Sequence, residues 1–275
     1  MHIHSYDQGA FLRPIIEVAG VRAAKTASAH FQETYQAFTT YSIVKAVVSG
    51  SPTSVDNWLT QDKEHKFIAG IAMDEPTDYG MDSVRFEQLV KDKKILVFGE
   101  IGAYYGGSTL NHPGWQPYLR ICQRYDIPVA IHLGGGPPQS TYSWAPKARL
   151  QLSDPFLIED VLVRYPKLRI YMMHSGEVWY EHALRLMAFY PQLYSDLGAL
   201  LWVEPLTKHY ASEFLKLAKE GGYLKRVMFG SDQMRWPGGI GKSVDYLKSL
   251  PFLSQEDKAD LFYNNAARFL KLKNQ

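Results

Sequence analysis

The chain has 275 residues, 46% of them hydrophobic, enough for one large domain or two average ones with a sizeable core. Thirty basic residues against 28 acidic ones leave a formal charge of +2, and no Lys/Arg run exceeds Lys93-Lys94, which argues against a nucleic-acid partner. The single cysteine, Cys122, excludes an internal disulfide and a thiolate-rich metal site, and no apolar segment reaches the roughly 20 residues of a membrane-spanning helix.

The chain opens on Met1-His2-Ile3-His4. Side chains alternate along a strand, so His2 and His4 share one face while Ile3 turns into the opposite layer. Two neighbouring imidazoles make half of a site for zinc or a first-row relative. A strand usually has about five residues, and little stands before the polar turn Ser5-Tyr6-Asp7, so the run predicts that further residues precede Met1 in the parent protein. No signal-peptide pattern is present. The compartment stays open between the cytoplasm and, for a chain whose upstream signal peptide has been removed, the periplasm.

Residues 13–38 read as a long loop followed by a helix, and the β-branched residues 42–48 as strand two, ended by Ser49-Gly50-Ser51-Pro52. A helix over 55–63 leads to strand three at 67–73, closed by Asp74-Glu75-Pro76. Residues 83–92 form a helix with Val84, Phe86, Leu89 and Val90 apolar. Strand four, 95–100, ends on Glu100; strand five, 129–132, on His132; strand six, 170–174, on His174. Helices are expected at 114–125, where Cys122 reads as a buried small apolar residue, and at 155–165, capped by Ser153 or Asp154. A helix over 178–190 precedes strand seven at 193–197. Residues 213–220 are helical until Gly221-Gly222 stops them. Strand eight, 226–229, runs on to Asp232, and a closing helix at 255–270 aligns Leu261, Phe262, Ala266 and Phe269.

Eight strand-like runs thus alternate with helix-like runs, several strands are apolar on both faces, and no linker divides the chain. A single (β/α)8 TIM barrel, one domain over residues 1–275, accounts for the whole pattern. Every candidate ligand then falls at the carboxyl end of a strand, where active sites of this fold lie.

His2 and His4, Glu100, His132, His174 and Asp232 are therefore expected to converge on one metal centre. A lone histidine ending an apolar strand is more often structural. Four of the nine histidines at three strand ends, joined by two carboxylates, change those odds. His30, His65, His112, His182 and His209 fall in helices or loops and read as surface or packing residues.

These segments resemble the motifs of the metal-dependent amidohydrolase superfamily, and more closely its amidohydrolase-related (amidohydrolase 2) branch, over essentially the whole chain. The similar segments are His2-Ile3-His4, Gly99-Glu100-Ile101-Gly102, Val129-Ala130-Ile131-His132-Leu133-Gly134, Met173-His174-Ser175-Gly176, Phe229-Gly230-Ser231-Asp232 and the closing stretch 261–270. The resemblance implies one or two divalent metal ions per chain, zinc before others. His2, His4 and Asp232 would hold one ion and His132 with His174 a second, Glu100 bridging them. In the one-metal alternative Glu100 is only hydrogen-bonded to neighbouring loops. The resemblance also implies attack by a metal-activated hydroxide, with Asp232 as the catalytic proton carrier.

Substrate contacts fall to the loops after the strands. Asp7 follows strand one, Tyr104 and Tyr105 strand four, Lys147 and Arg149 strand five; Glu177, Trp179, Trp202, Gln233, Arg235 and Trp236 lie beyond strands six to eight. Gly134-Gly135-Gly136 lacks the Gly-x-x-x-x-Gly-Lys phosphate pattern and reads as a turn that lets backbone approach the site. Three tryptophans at the mouth favour an apolar or aromatic substrate body. The expected activity is metal-dependent hydrolysis of an ester, lactone or amide of a small molecule. Its rivals are a non-oxidative decarboxylase of an aromatic or muconate-like acid, and a ligand-binding barrel with a structural metal. A homo-oligomer stays open.

Overall fold

The computed structural model describes residues 1–12 and 16–272. Eight parallel strands form one sheet in sequence order: β1 (His2–His4), β2 (Ala46–Ser49), β3 (Phe67–Met73), β4 (Val97–Ile101), β5 (Val129–His132), β6 (Ile170–Met173), β7 (Leu193–Asp196) and β8 (Val227–Met228). The connecting helices are α1 (Ala27–Thr40), α2 (Pro52–Gln61), α3 (Ser83–Lys91), α4 (Gln116–Tyr125), α5 (Glu159–Arg164), α6 (Tyr180–Phe189) and α7 (Pro205–Glu220). After β8 come α8 (Gly239–Ser249) and the closing helix over 255–270. The Asp232 N–H donates to the His2 carbonyl at 3.1 Å, which brings the loop after β8 against β1.

Alternation sorts the strand side chains into two layers. Val129, Ile131, Ile170 and Met172 pack outward with Phe98 against Phe86, Leu119 and Val161 of the helices. Ala130, Tyr171 and Met173 form a separate inner cluster with Val47, Val97, Met228 and Phe269. Ile3 packs outward with Phe31, Phe38 and Trp58 of α1 and α2. Apolar runs without polar alternation thus find both faces covered, and each fully buried large side chain stabilises the fold by about 1.5–3 kcal/mol.

Several boundaries depart from the sequence expectation. Residues 13–15 of the expected loop lie outside the described residues. Beyond them Glu17–Val18 and Val21–Arg22 pair as a hairpin across Ala19-Gly20, which adopt the positive φ angles (51° and 73°) that tight hairpin turns need. The helix α1 begins only after Thr26, whose side chain accepts from the Ala29 N–H. β2 starts at Ala46 rather than 42 because the preceding residues finish α1: Ser42 has φ 54°, and the Ile43 N–H donates to the Phe38 carbonyl at 2.8 Å. α7 begins at Pro205 rather than 213, with proline in the first turn where its missing N–H is harmless. α8 lies where no element is expected, although buried Ile240, Val244 and Leu247 carry helical spacing.

The closing helix keeps its expected bounds but contains a π turn at Asp260–Asn264. There the Leu261 carbonyl accepts from the Phe229 N–H at 2.8 Å. Buried Asn265 donates to the carbonyls of Leu224 and Val227 at 3.0 and 2.7 Å. The two-residue strand β8 is clamped by these bonds.

Candidate metal centre

His2 and His4 face inward because Ile3 between them packs outward. His132 shares the inner face with Ala130, two residues back on β5. The other three donors require a departure from regular strand. On β4 the register against β3 shifts at Ile71, which pairs with both Phe98 and Gly99. Val97 packs inward and Phe98 outward, so unbroken alternation would turn residue 100 outward; a bulge of this kind re-aims the side chains that follow it, and Glu100 instead faces inward to His132. A Cβ at Gly99 would collide with Ala130, so the bulge needs glycine. On β6 Met172 points outward and Met173 inward, so an extended residue 174 would point outward again. His174 instead has φ 61°, and its ring turns in. Asp232 has φ 43°. Left-handed backbone is uncommon outside glycine, but histidine and aspartate are among the residues that adopt it most readily.

The donors meet. His4 Nε2 lies 2.9 Å from Glu100 Oε2 and 3.0 Å from Asp232 Oδ1, and His2 Nε2 lies 3.9 Å from Glu100 Oε2. Glu100 Oε1 contacts His132 Nδ1 and lies 3.3 Å from His174 Nε2; those two nitrogens are 3.0 Å apart. Two groups result, each with its donor atoms within 4.8 Å of one another: His2, His4, Glu100 and Asp232, and Glu100, His132 and His174. Glu100 belongs to both. The outer ring nitrogens of His132 and His174 rest on the carbonyls of Gly135 (3.2 Å) and Gly198 (2.9 Å). Such backbone partners fix the orientation of a ligating imidazole.

Burial pushes His2 down to about 3. Burial also opposes protonation of His4, but Tyr6, Asp232 and Glu100 outweigh it and hold His4 well above its usual value. His174 reaches about 10 in the same way, burial being overcome by Glu100. Burial opposes ionisation of Glu100, and His132, His174 and His4 together hold it well below the usual carboxylate range. Protons on His4 and His174 thus balance two buried carboxylates, a balance that a divalent cation also supplies. Both ring nitrogens of His2 are buried without a hydrogen-bond partner, each costing about 1–3 kcal/mol if left so. Imidazole and carboxylate are donors that first-row divalent ions accept. The residues fit a metal.

Around this cluster, Tyr104 and Tyr105 lie with ring centroids 5.1 Å from that of His132. Glu177 accepts from the Gly135 N–H and closes the glycine turn. Asp7 is exposed and accepts from the Ser51 hydroxyl at 2.6 Å, and Trp179 is half-buried. Arg149 is exposed and donates to the carbonyls of Pro146 (3.0 Å) and Ala148 (2.7 Å) in its own loop. The expected tryptophan rim is not formed: Trp202 and Trp236 are buried with Val21 and Ala23, their indole N–H groups bonded to the carbonyls of Ser231 and Ile16. Gln233 is buried too; its amide accepts from the His4 N–H and donates to the His4 carbonyl, both at 2.9 Å, so it fixes the strand that carries His2 and His4.

Two carboxyls without an expected role adjoin the centre. Asp196, wholly buried at the end of β7, accepts from the N–H groups of His174 (3.1 Å) and Gly198 (2.9 Å), and burial lifts it to about 6. Asp74, just past β3, is lifted to about 7 by burial and by Asp78. The available signal for the first was an aspartate inside the strand-like run Leu-Tyr-Ser-Asp-Leu.

No helix among the described residues is long and apolar enough to cross a membrane. No curated protein matches the sequence. Among solved structures the chain is similar to a probable 2-pyrone-4,6-dicarboxylic acid hydrolase from Acinetobacter baumannii with citric acid bound, at 15% identity over 98% of each chain and a TM-score of 0.68. An amidohydrolase from Burkholderia multivorans with bound zinc is 14% identical over 99% of this chain and 98% of that one, with a TM-score of 0.61. The 5-carboxyvanillate decarboxylase from Sphingomonas paucimobilis is 12% identical, covering 87% of this chain and 82% of its own, with a TM-score of 0.57. At such identities the likeness is one of fold. The model of the family described as amidohydrolase matches residues 21–272, a span that holds Glu100, His132, His174 and Asp232. The chain therefore belongs to the amidohydrolase family.

Proposed function

We propose that the protein is a metal-dependent hydrolase that cleaves an ester, lactone or amide bond of a small molecule at a centre of two divalent ions, zinc first among them. The observation that carries this reading is the membership of Glu100 in both donor groups. His2, His4 and Asp232 would hold one ion, His132 and His174 the other, with Glu100 common to both. The sheet is read as a closed (β/α)8 barrel spanning residues 1–275 as one domain, because first- and last-strand donors meet at 3.0 Å and the Asp232 N–H bonds the His2 carbonyl.

A bound divalent cation polarises a carbonyl and makes water more acidic. Asp232 supplies the base. Burial opposes its ionisation, yet His4 beside it keeps its carboxyl below the ordinary value, ready to take a proton from the attacking water and return it to the leaving group. Burial raises the Tyr104 and Tyr105 phenols, so both remain neutral hydrogen-bond donors beside His132. Asp7, Glu177 and Trp179 are the loop positions for further substrate contact.

Likeness to a decarboxylase supports a second reading, loss of carbon dioxide from an aromatic acid. That chemistry calls for a cation to seat the carboxylate, and Arg149 is engaged by its own loop. Metal content per chain, measured beside assays for ester, lactone and amide cleavage and for carbon dioxide release, tests both. Hydrolysis with two ions, lost in a His2→Ala, His4→Ala variant, is the expected result. Full metal in that variant would overturn the site.

A further inference from the structure

The outer nitrogens of His132 and His174 are held by carbonyls, whereas that of His2 is not. His2 Nε2 faces Glu100, and Nδ1, across the ring, is buried without a hydrogen-bond partner. Asp196 shows the matching deficit. Its Oδ1 accepts two backbone N–H groups, while its Oδ2 is buried and has none. Both residues line one cavity of about 20 Å³ on the inner face of the sheet. Its other walls include Met1, Val47, Met228 and Phe269; Tyr171 is the one further polar side chain among them, and the buried Met1 amino group also feels the charge of Asp196. A cavity of this size holds one water molecule, which requires at least two polar partners.

We propose that a single buried water bridges Asp196 Oδ2 and His2 Nδ1, making Asp196 the positioning residue of His2. The inference rests on the reading of His2 as a metal ligand. The His2 Nδ1–H donates to the water, and the water donates to Asp196 Oδ2. This leaves the lone pair on Nε2, the nitrogen that faces Glu100, and raises the basicity of the ring. One carboxylate then serves both donor groups: Oδ1 fixes the backbone of His174 in the second group, and Oδ2 fixes the ring of His2 in the first.

Two variants approach the water from different sides. Asp196→Asn keeps the acceptor for His174 and Gly198 and changes only the Oδ2 position. Val47→Ile adds a methyl group to the cavity wall and leaves both polar partners in place. Each should weaken zinc binding about tenfold or more in chelator competition. The double variant should bind zinc no worse than the weaker single one, because both changes remove the same water. In nitrogen-15 spectra of the zinc-loaded protein, Asp196→Asn should shift the His2 Nδ1 resonance and leave those of His132 in place, which a general loosening would not do. Unchanged zinc affinity in both single variants, or losses that multiply in the double, overturns the bridge. His2→Ala separates the two levels: zinc lost there but retained at full affinity by Asp196→Asn rejects the bridge alone, and zinc retained in His2→Ala rejects the ligand assignment as well.

Discussion

On β1 and β5 the donors His2, His4 and His132 lie where strand alternation sends them, whereas Glu100, His174 and Asp232 reach the same centre through a bulge and two left-handed residues. The regular strands need only a neighbour with a reason to face outward, such as Ile3 or Ile131. The irregular ends must be held in place, since a non-glycine residue in left-handed backbone costs about 1–3 kcal/mol. The holding bonds are visible: the His174 N–H on Asp196, the Ser175 hydroxyl on the Asp196 carbonyl at 2.6 Å, and the Asp232 N–H on the His2 carbonyl. A site can thus take half its donors from the periodicity of the sheet and half from places where that periodicity is broken.

The sharpest test falls on the irregular side. Asp232→Asn should lower hydrolytic turnover by about 10²–10⁴-fold while much of the zinc stays bound, since a positioned proton carrier contributes on that order; undiminished turnover would remove Asp232 from that role. Next comes the bulge. Gly99→Ala should cost about 1–3 kcal/mol in denaturant unfolding, as overpacked sites do, and should drive zinc content from two ions per chain towards one. Wild-type stability and stoichiometry in that variant would show that the aim of Glu100 does not depend on the bulge.

Acidity reaches both halves, because His4 on the regular side is held well above its usual value as His174 is on the irregular side. In the metal-free protein His174, raised from 6.5 to about 10, contributes stability that is fully present below pH 6.5 and is lost as pH rises through about 10. His2, pushed down to about 3, titrates below that window. Thermal unfolding of metal-free protein should therefore show a midpoint that falls across the window, and zinc-loaded protein a flatter one; equal slopes would show that the protons on His4 and His174 do not stand in for a cation. The smallest effect belongs to the regular side. Ile3→Val should cost about 0.5–1.5 kcal/mol and leave zinc stoichiometry untouched, and metal loss there would show that outward packing and inward aim are not separable.

Much of this was legible in the chain because the donors end apolar runs bounded by turn residues. Residues 67–73 and 129–132 are strands residue for residue as the pattern predicts, the second buried throughout and the first buried except at half-buried Ile68 and Ala72. Residues 42–45 mislead, since a β-branched run says nothing of the helix end that recruits it. The tryptophans mislead for a related reason: position after a strand does not give direction. Trp202 and Trp236 are drawn inward by the hairpin at Glu17–Arg22, whose two-residue strands are too short to show periodicity. Asp196 had no readable role, because its significance lies in one oxygen atom left without a partner at a cavity that His2 also lines.

The clamp that the closing helix places on β8 has a temporal side. His4 and Gln233 bond across 229 residues of chain, and Asp232 arrives with Gln233. By itself the imidazole pair on β1 is a weak cation trap, completed only when Glu100 and Asp232, distant along the chain, fold against it. Capture of a cation by this group would then be coupled to completion of the fold.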